Sequence, residues 1–147
     1  MKNIYLDVCS LCRPFYDQSF IRIRLETNAV NLIMAYVQKG AFKLVASPVH
    51  FNEIAAITDI SERIQIEMLL EQDAIQPRTN IALVKERTED LTKLGFGLAD
   101  AAHLAFAESY DTDFISCDDK LLKKCSKSKI QIWTGTPIVF CDKERLK

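Results

Sequence analysis

Four carboxylates stand where the chain changes between strand-like and helix-like patterns: Asp7, Glu53, Asp100 and Asp118. Carboxylates held a few Å apart repel each other, and one of them would be driven to take up a proton. A divalent cation removes this repulsion, so a fold that gathers the four side chains in one cleft would form a metal site. Because no paired His or Cys ligands accompany the acids, the pattern indicates Mg²⁺ or Mn²⁺ rather than zinc. Two such ions about 4 Å apart can activate a water and stabilise a phosphodiester leaving group.

The elements that must position these acids alternate between short apolar strands and amphipathic helices. The predicted strands are Lys2–Asp7, Phe42–Ala46, Thr112–Cys117, Ile130–Trp133 and a short edge strand at Ile138–Cys141. The predicted helices cover 19–38, a stretch that begins at Ser47-Pro48, a further stretch that ends near 72, then 81–94, 98–110 and a short basic segment at 119–127. This alternation predicts an α/β sandwich with a largely parallel central sheet. Ligands of such sheets bind outside the carboxyl ends of the strands, where Asp7 and Asp118 are predicted to lie.

The length of 147 residues predicts a single domain over 1–147, and the net charge of -1 gives no overall positive field. We expect no signal peptide and no membrane span, because no apolar run is long enough. Five cysteines without closely set pairs of a secreted scaffold favour a reduced, cytoplasmic setting. Cys9 and Cys12 have the Cys-x-x-Cys spacing of a redox motif or half a zinc site, but a second pair is missing, which favours buried thiols that only pack.

The order and context of the acids resemble the PIN-domain family, over about 2–140. The segments that carry the resemblance are Tyr5-Leu6-Asp7, Ser47-Pro48-Val49-His50-Phe51-Asn52-Glu53, Gly97-Leu98-Ala99-Asp100-Ala101-Ala102-His103, Phe114-Ile115-Ser116-Cys117-Asp118-Asp119-Lys120 and the closing run 133–140. The resemblance implies a three-layer α/β/α fold and a metal-dependent endoribonuclease that leaves a 5′ phosphate. Many small members are VapC-type toxins, each held inactive by an antitoxin, and a homodimer is usual. RNA would be the substrate.

By this resemblance Asp7, Asp100 and Asp118 would hold the Mg²⁺ or Mn²⁺, and Glu53 would bind a second ion or orient the attacking water. Ser116 occupies a place where the family often carries a hydroxyl near the metal. Asp119 competes with Asp118 for the fourth role, and its position two residues after Ser116 favours Asp118.

The chain departs from the family after its first acid, where Val8-Cys9 replace a small hydroxyl residue followed by Asn. This departure concerns a supporting hydrogen bond rather than the metal ligands. The segment Arg13-Pro14-Phe15 fits a subset of the family.

Each acid also has a structural explanation. Asp7, Asp118 or Asp119 could cap a helix, and Asp100 could simply lie in a first helical turn, where the helix dipole favours it. His103 is three residues beyond Asp100, so it either orients that carboxylate or is a satisfied, partly buried histidine. His50 is predicted to be structural or partly exposed rather than catalytic, and Trp133 to pack rather than to stack on a base.

Lysines follow the last acids closely, and could contact RNA phosphates or form a solvated helix face. They are Lys120, Lys123, Lys124, Lys127 and Lys129, which Arg13, Arg22 and Arg24 could extend. The stretch 59–73 is acidic by contrast, so the basic side is predicted to face the substrate. Two alternatives to a nuclease remain: a catalytically silent interaction module that keeps the acids, and a small phosphatase or phosphoreceiver. The latter is disfavoured because Cys9 replaces the second acid of an Asp-x-Asp pair.

Overall fold

A computed structural model describes the whole chain, from Met1 to Lys147. Its strands are β1 (Lys2–Leu6), β2 (Phe42–Val45), β3 (Ala74–Ile75), β4 (Asp113–Ile115) and β5 (Thr134–Gly135). Its helices are α1 (Val8–Leu11), α2 (Ile21–Gln38), α3 (Pro48–Ala55), α4 (Ile60–Asp73), α5 (Ile81–Lys93), α6 (Leu98–Ser109), α7 (Asp119–Lys127) and α8 (Pro137–Lys143), with a 3-10 helix at Arg13–Phe15. None of these helices combines the length and apolar character that crossing a bilayer requires.

The five strands form one parallel sheet in the order β3-β2-β1-β4-β5. The chain starts at β1 in the centre, moves outward through β2 to β3, and then returns to β4 on the other side of β1. The connections therefore diverge between β1 and β4, which is where an open α/β sheet leaves a crevice at the carboxyl ends of its strands. The predicted α/β class with a largely parallel sheet is confirmed.

Helices cover both faces of the sheet because successive side chains of a strand point to opposite sides. On one face Ile4 and Leu6 pack with the apolar sides of α2, α4 and α8. On the other face Tyr5 and Phe114 pack with α5, α6 and α7. Two apolar clusters thus flank the sheet, which makes the fold a three-layer α/β/α sandwich.

Local sequence signals set several of the helix boundaries. Gly40, with φ of +85°, follows α2 in the left-handed region that glycine adopts without strain. Pro48 occupies the first turn of α3, where its missing N–H costs nothing. Both boundaries agree with the prediction from the sequence.

The two last predicted strands are wrong. The segment Ile130–Trp133 is irregular, and the edge strand forms at Thr134–Gly135, beside Phe114 and Ile115. The run Ile138–Cys141 lies in α8, because the Thr136 hydroxyl accepts a hydrogen bond from the Val139 N–H and Pro137 begins the helix. A four-residue apolar run has no periodicity that separates strand from helix, so these caps decide its conformation. The two-residue strand β3 was missed.

Candidate functional site

Asp7 lies directly after the central strand, at the carboxyl edge of the sheet, and is 6% exposed. Its Oδ1 accepts hydrogen bonds from the Ser10 N–H at 3.0 Å and from the Ser10 hydroxyl at 2.8 Å. Its Oδ2 accepts one from the Ser116 hydroxyl at 2.5 Å. Burial raises the pKa of Asp7, while these hydrogen bonds lower it. Ser10 therefore supplies a hydroxyl contact even though Val8 and Cys9 depart from the family pattern.

Ser116 connects the first acid to the last. Its hydroxyl donates to Asp7 and accepts a hydrogen bond from the Asp118 backbone N–H at 3.0 Å. Ser116 is fully buried after β4, next to β1 in the sheet. The hydroxyl that the resemblance predicted beside the acids is thus present, and it joins the two strand ends on which Asp7 and Asp118 depend.

Asp100 lies in the first turn of α6 and is half-buried. Its pKa is raised, first by burial and then by the negative charges of Asp118, Asp7 and Glu53. The charges of the other three acids named from the sequence therefore all act on Asp100. We refer to Asp7, Glu53, Asp100 and Asp118 as the acid cluster.

Glu53 lies on α3 and reaches the acid cluster from the β2 side of the sheet. Its Oε1 contacts Nε2 of His103, and this hydrogen bond lowers the pKa of Glu53. Nδ1 of His103 lies 2.5 Å from the Tyr5 hydroxyl. Neither ring nitrogen of His103 bonds to Asp100. Of the two predicted alternatives, the structure therefore has the histidine whose nitrogens are satisfied, and this histidine contacts Glu53 instead of its neighbour on the helix. Tyr5 was not singled out from the sequence, since nothing in a buried strand marks a phenol that reaches a functional acid.

The acid cluster concentrates negative charge, but its carboxylate oxygens do not meet at one point where they could bind an ion. No group of three or more His, Cys, Asp or Glu side chains is arranged so that it could hold a metal ion as it stands. The oxygen-only donors match Mg²⁺ or Mn²⁺ in kind, and a cation would relieve the repulsion that raises the pKa of Asp100. The side chains would have to draw together to bind it.

Asp119 is engaged elsewhere. Both of its oxygens accept hydrogen bonds from the Arg22 guanidinium, at 2.6 and 2.8 Å, and this pairing lowers the pKa of Asp119. Asp118, not Asp119, caps α7 by accepting the Leu121 N–H at 3.1 Å. Of the two candidates for the fourth acid, Asp118 is the one whose charge acts on Asp100.

The Arg13-Pro14-Phe15 segment supplies Arg13 to a buried ion pair that was not predicted from the sequence. Glu26 on α2 is 2% exposed, and its Oε1 lies 3.1 Å from Arg13 Nε and 3.5 Å from Arg22 Nε. The contact with Arg13 is not aligned as a hydrogen bond. Arg22 also donates to the Cys117 carbonyl at 3.3 Å, beside the loop that carries Asp118. The two arginines are thus committed within the molecule rather than free for a basic patch.

The Cys-x-x-Cys spacing forms neither a disulfide nor a metal site. All five cysteines are free thiols. Burial raises the pKa of Cys9 to about 11 and that of Cys12 to about 12, which disfavours the reactive thiolate. Cys12 packs in the apolar cluster on the α2 side of the sheet.

The lysines near the last acids do share one face. Lys120, Lys123, Lys124 and Lys127 are exposed at helical spacing on α7, whose other side buries Leu121 and Cys125. We call these four residues the lysine face, and it begins two residues after Asp118. The acidic helix α4 packs at the β3 edge and α7 at the β5 edge, so the two charged helices occupy opposite edges of the sheet.

The structural explanations of the acids are also realised. Asp7 caps α1, Asp118 caps α7, and Asp100 lies in the first turn of α6. A capping role does not by itself bring acids together. Asp7 and Asp118 share an edge because α1 and α7 directly follow the parallel strands β1 and β4. Helix α6 leads into β4, so its first turn, with Asp100, lies toward the same edge.

His50 is a buried neutral histidine with a structural role, as predicted. Its Nε2 lies 2.7 Å from the Leu6 carbonyl oxygen, and its Nδ1 accepts the Ser47 N–H at 3.0 Å. An acceptor at Nδ1 requires the unprotonated form of that nitrogen. Burial, followed by the nearby His103, lowers the pKa of His50 to about 4.

This histidine should make the fold less stable in acid. Between about pH 6.5 and the lowered pKa, the unfolded chain binds a proton at His50 that the folded chain excludes, so the free energy of unfolding falls as the pH falls. We expect His50 to account for a loss on the order of 3 kcal/mol over that interval. Urea unfolding from pH 7 to 4.5 measures it, with His50→Gln as the comparison. Parallel pH profiles for the two proteins would contradict the assignment.

Comparison with known proteins gives similarity at the level of the fold. The chain is similar to the crystal structure of FitAcB from Neisseria gonorrhoeae, with a TM-score of 0.54 and 14% identity over 91% of this chain and 97% of that one. It is also similar to the structure of FitAB bound to the IR36 DNA fragment, with a TM-score of 0.56 and 14% identity over 92% of this chain and 95% of that one. No family model matches the chain, and no curated protein matches it. These similarities support the PIN-like fold that the sequence predicted.

Proposed function

We propose that this chain is a metal-dependent endoribonuclease with a PIN-like fold, and the toxin of a toxin–antitoxin pair. The observation that carries the proposal is that Ser116 joins the Asp7 carboxylate to the Asp118 backbone at neighbouring strand ends. The raised pKa of Asp100, caused by burial and then by the charges of Asp118, Asp7 and Glu53, agrees with it. Four acids from separate elements, gathered at the carboxyl edge of a parallel sheet, suit a hard divalent cation.

Each residue of the site then has a distinct role. Asp7, Asp100 and Asp118 would hold Mg²⁺ or Mn²⁺, and Ser10 and Ser116 would keep the Asp7 carboxylate in place by hydrogen bonds. When bound, the metal would supply an activated water and stabilise the departing 3′ oxygen. Glu53 would orient that water.

The lysine face would position RNA phosphates without reading the base sequence. It begins beside Asp118, so a strand bound along it would run past the acid cluster. A cognate antitoxin is the partner that the resemblance to VapC-type toxins implies, and the similarity to FitAB supports it. A homodimer built on α2 stays a prediction from the sequence.

Cleavage of a defined RNA panel tests this proposal. We expect the purified chain to cut RNA with Mg²⁺ or Mn²⁺, to leave 5′ phosphate ends, and to lose all activity in EDTA. Phosphomonoester substrates serve as the control and should remain intact. RNA that stays whole with both metals would remove the nuclease proposal.

A catalytically silent interaction module is the second candidate, and one observation favours it: no three acids converge as they stand. Such a module would show no Mn²⁺ binding that depends on Asp7 and Asp100. Titration of the wild type and of the Asp100 variant with Mn²⁺ separates the two candidates.

A further inference from the structure

A chain of buried polar groups leads from the sheet to Glu53. Tyr5, in the central strand, is 0% exposed, and its hydroxyl lies 2.7 Å from Ser47 Oγ and 2.5 Å from His103 Nδ1. Nε2 of the same histidine contacts Glu53 Oε1. Four side chains from β1, the beginning of α3, the body of α3 and α6 are therefore joined in one line.

With a neutral His103 ring, the chemistry of the groups fixes the protons in this line. A carboxylate only accepts hydrogen bonds, so Nε2 of His103 carries a proton and donates it to Glu53. In the neutral ring Nδ1 is then an acceptor, so the Tyr5 hydroxyl donates to it. The Tyr5 oxygen is left to accept from the Ser47 hydroxyl. The hydrogen bonds therefore run in one direction, from Ser47 to Tyr5, from Tyr5 to His103 and from His103 to Glu53.

The line also holds the imidazole rigidly. The His103 ring meets the His50 ring edge-on at a centroid distance of 5.1 Å and the Tyr5 ring at 5.6 Å. His50 is anchored in turn by its bonds to the backbone of Leu6 and Ser47. Rotation of His103 away from Glu53 would break a buried hydrogen bond to Tyr5 and disturb this aromatic packing.

Glu53 needs such a restraint. Its side chain is 39% exposed, and its negative charge and that of Asp100 repel each other. Only Oε1 is held, while Oε2 makes no hydrogen bond within the protein. A restraint on one oxygen leaves the other available to a water or a cation.

We propose that Tyr5 and His103 are positioning residues that hold Glu53 by one oxygen, with its second oxygen presented to the acid cluster. The inference rests on the proposed nuclease function for its effect on catalysis, but not for its geometry. Tyr5 touches no reacting atom and acts only through His103, and His103 acts only through Glu53.

Tyr5→Phe is the most selective variant, because it removes one oxygen and keeps the packed ring. We expect it to lower kcat for RNA cleavage and the affinity for Mn²⁺ by about tenfold each, with KM for RNA unchanged, as losses of supporting contacts around metal ligands do. His103→Asn should have a similar or larger effect. Tyr110→Phe is the matched control, since the Tyr110 hydroxyl makes no hydrogen bond, and it should leave both quantities within twofold.

A double-mutant cycle separates positioning from a general loss of packing. If Tyr5 acts through Glu53, Tyr5→Phe should add less than twofold to the effect of Glu53→Gln. Additive tenfold losses, or unchanged kcat and Mn²⁺ affinity in Tyr5→Phe, would overturn the inference.

A measurement without metal distinguishes failure of the inference about Tyr5 and His103 from failure of the nuclease proposal. In ¹⁵N NMR spectra of the wild type without metal, we expect the His103 proton on Nε2, and Tyr5→Phe should shift the Nδ1 resonance. A proton on Nδ1 alone would overturn the inference, whatever the enzyme does. A wild type that shows the expected spectrum but neither binds Mn²⁺ nor cuts RNA refutes the nuclease function and leaves the restraint on Glu53 established.

Discussion

Replacing Asp100 with asparagine should lower the rate of RNA cleavage at least about a thousand-fold, on the order of 4 kcal/mol of transition-state stabilisation. The amide keeps the shape of the side chain but removes the charge through which it would hold Mg²⁺ or Mn²⁺. The fold should survive. The metal-free variant should unfold at the same or a higher urea concentration, because the substitution removes repulsion from Asp118, Asp7 and Glu53. Single-turnover cleavage and urea unfolding measure the two effects.

Asp111→Asn is the matched control. It makes the same chemical change just beyond the opposite end of α6, at an exposed position with φ of 53° that asparagine tolerates well. We expect its cleavage rate to stay within twofold of the wild type. Full activity in the Asp100 variant would sink the assignment of the acid cluster as a metal site.

Replacement by asparagine also shows which of the adjacent residues Asp118 and Asp119 is the fourth acid of the site. Asp118→Asn should lose cleavage while α7 remains intact, because asparagine caps a helix as well as aspartate does. Asp119→Asn should keep most activity, since it only weakens the exposed pair with Arg22. The reverse order of effects would give the fourth role to Asp119.

Glu26→Gln should lower the free energy of unfolding by about 3 kcal/mol, the largest stability effect that we expect from one polar substitution. Glu26 is buried, and its loss leaves the Arg13 guanidinium, with its largely buried side chain, without a counter-charge. Arg22 would lose the same partner. Urea unfolding at neutral pH gives the free energy.

Two comparisons make this result specific. Glu86→Gln on the exposed side of α5, where the carboxylate has no ion pair, should change the free energy by less than about 0.5 kcal/mol. Replacing both partners, with Arg13→Met and Glu26→Leu, should recover much of the loss, because no uncompensated charge is left inside. A Glu26→Gln variant as stable as the wild type would show that the buried pair contributes nothing.

The parts of the molecule that could be predicted from sequence are those that short stretches of neighbouring residues determine. Apolar runs marked β1, β2 and β4, and Ser47-Pro48 marked the beginning of α3. The alternation of strands and helices predicted a parallel sheet, and with it the carboxyl edge beside which Asp7 and Asp118 lie. The spacing of Asp118 to Ser116 matches a hydrogen bond between them, while the choice of Asp118 over Asp119 as the fourth acid stays a prediction.

Contacts between distant elements could not be predicted in this way. Nothing local shows that the Tyr5 hydroxyl reaches His103, 98 residues further along the chain. The burial of Glu26 depends on how α2 packs against the Arg13 turn, and an isolated glutamate on a helix gives no sign of it. The same limit explains the error at Ile138–Cys141, where a short apolar run was assigned before its cap was considered.

Two members of the acid cluster also cap helices, and this second role restricts which substitutions the protein could accept there. Asp7 and Asp118 each cap a helix in addition to belonging to the acid cluster, whereas Asp100 and Glu53 cap no helix. A lineage under no selection on the acid cluster could replace Asp100 without losing a helix cap. At Asp7 and Asp118 only residues that cap helices well, such as serine, threonine, asparagine or glycine, would keep α1 and α7 stable. In sequences that descend from this one and have lost that selection, we expect substitutions to appear at Asp100 and Glu53 before they appear at Asp7 and Asp118.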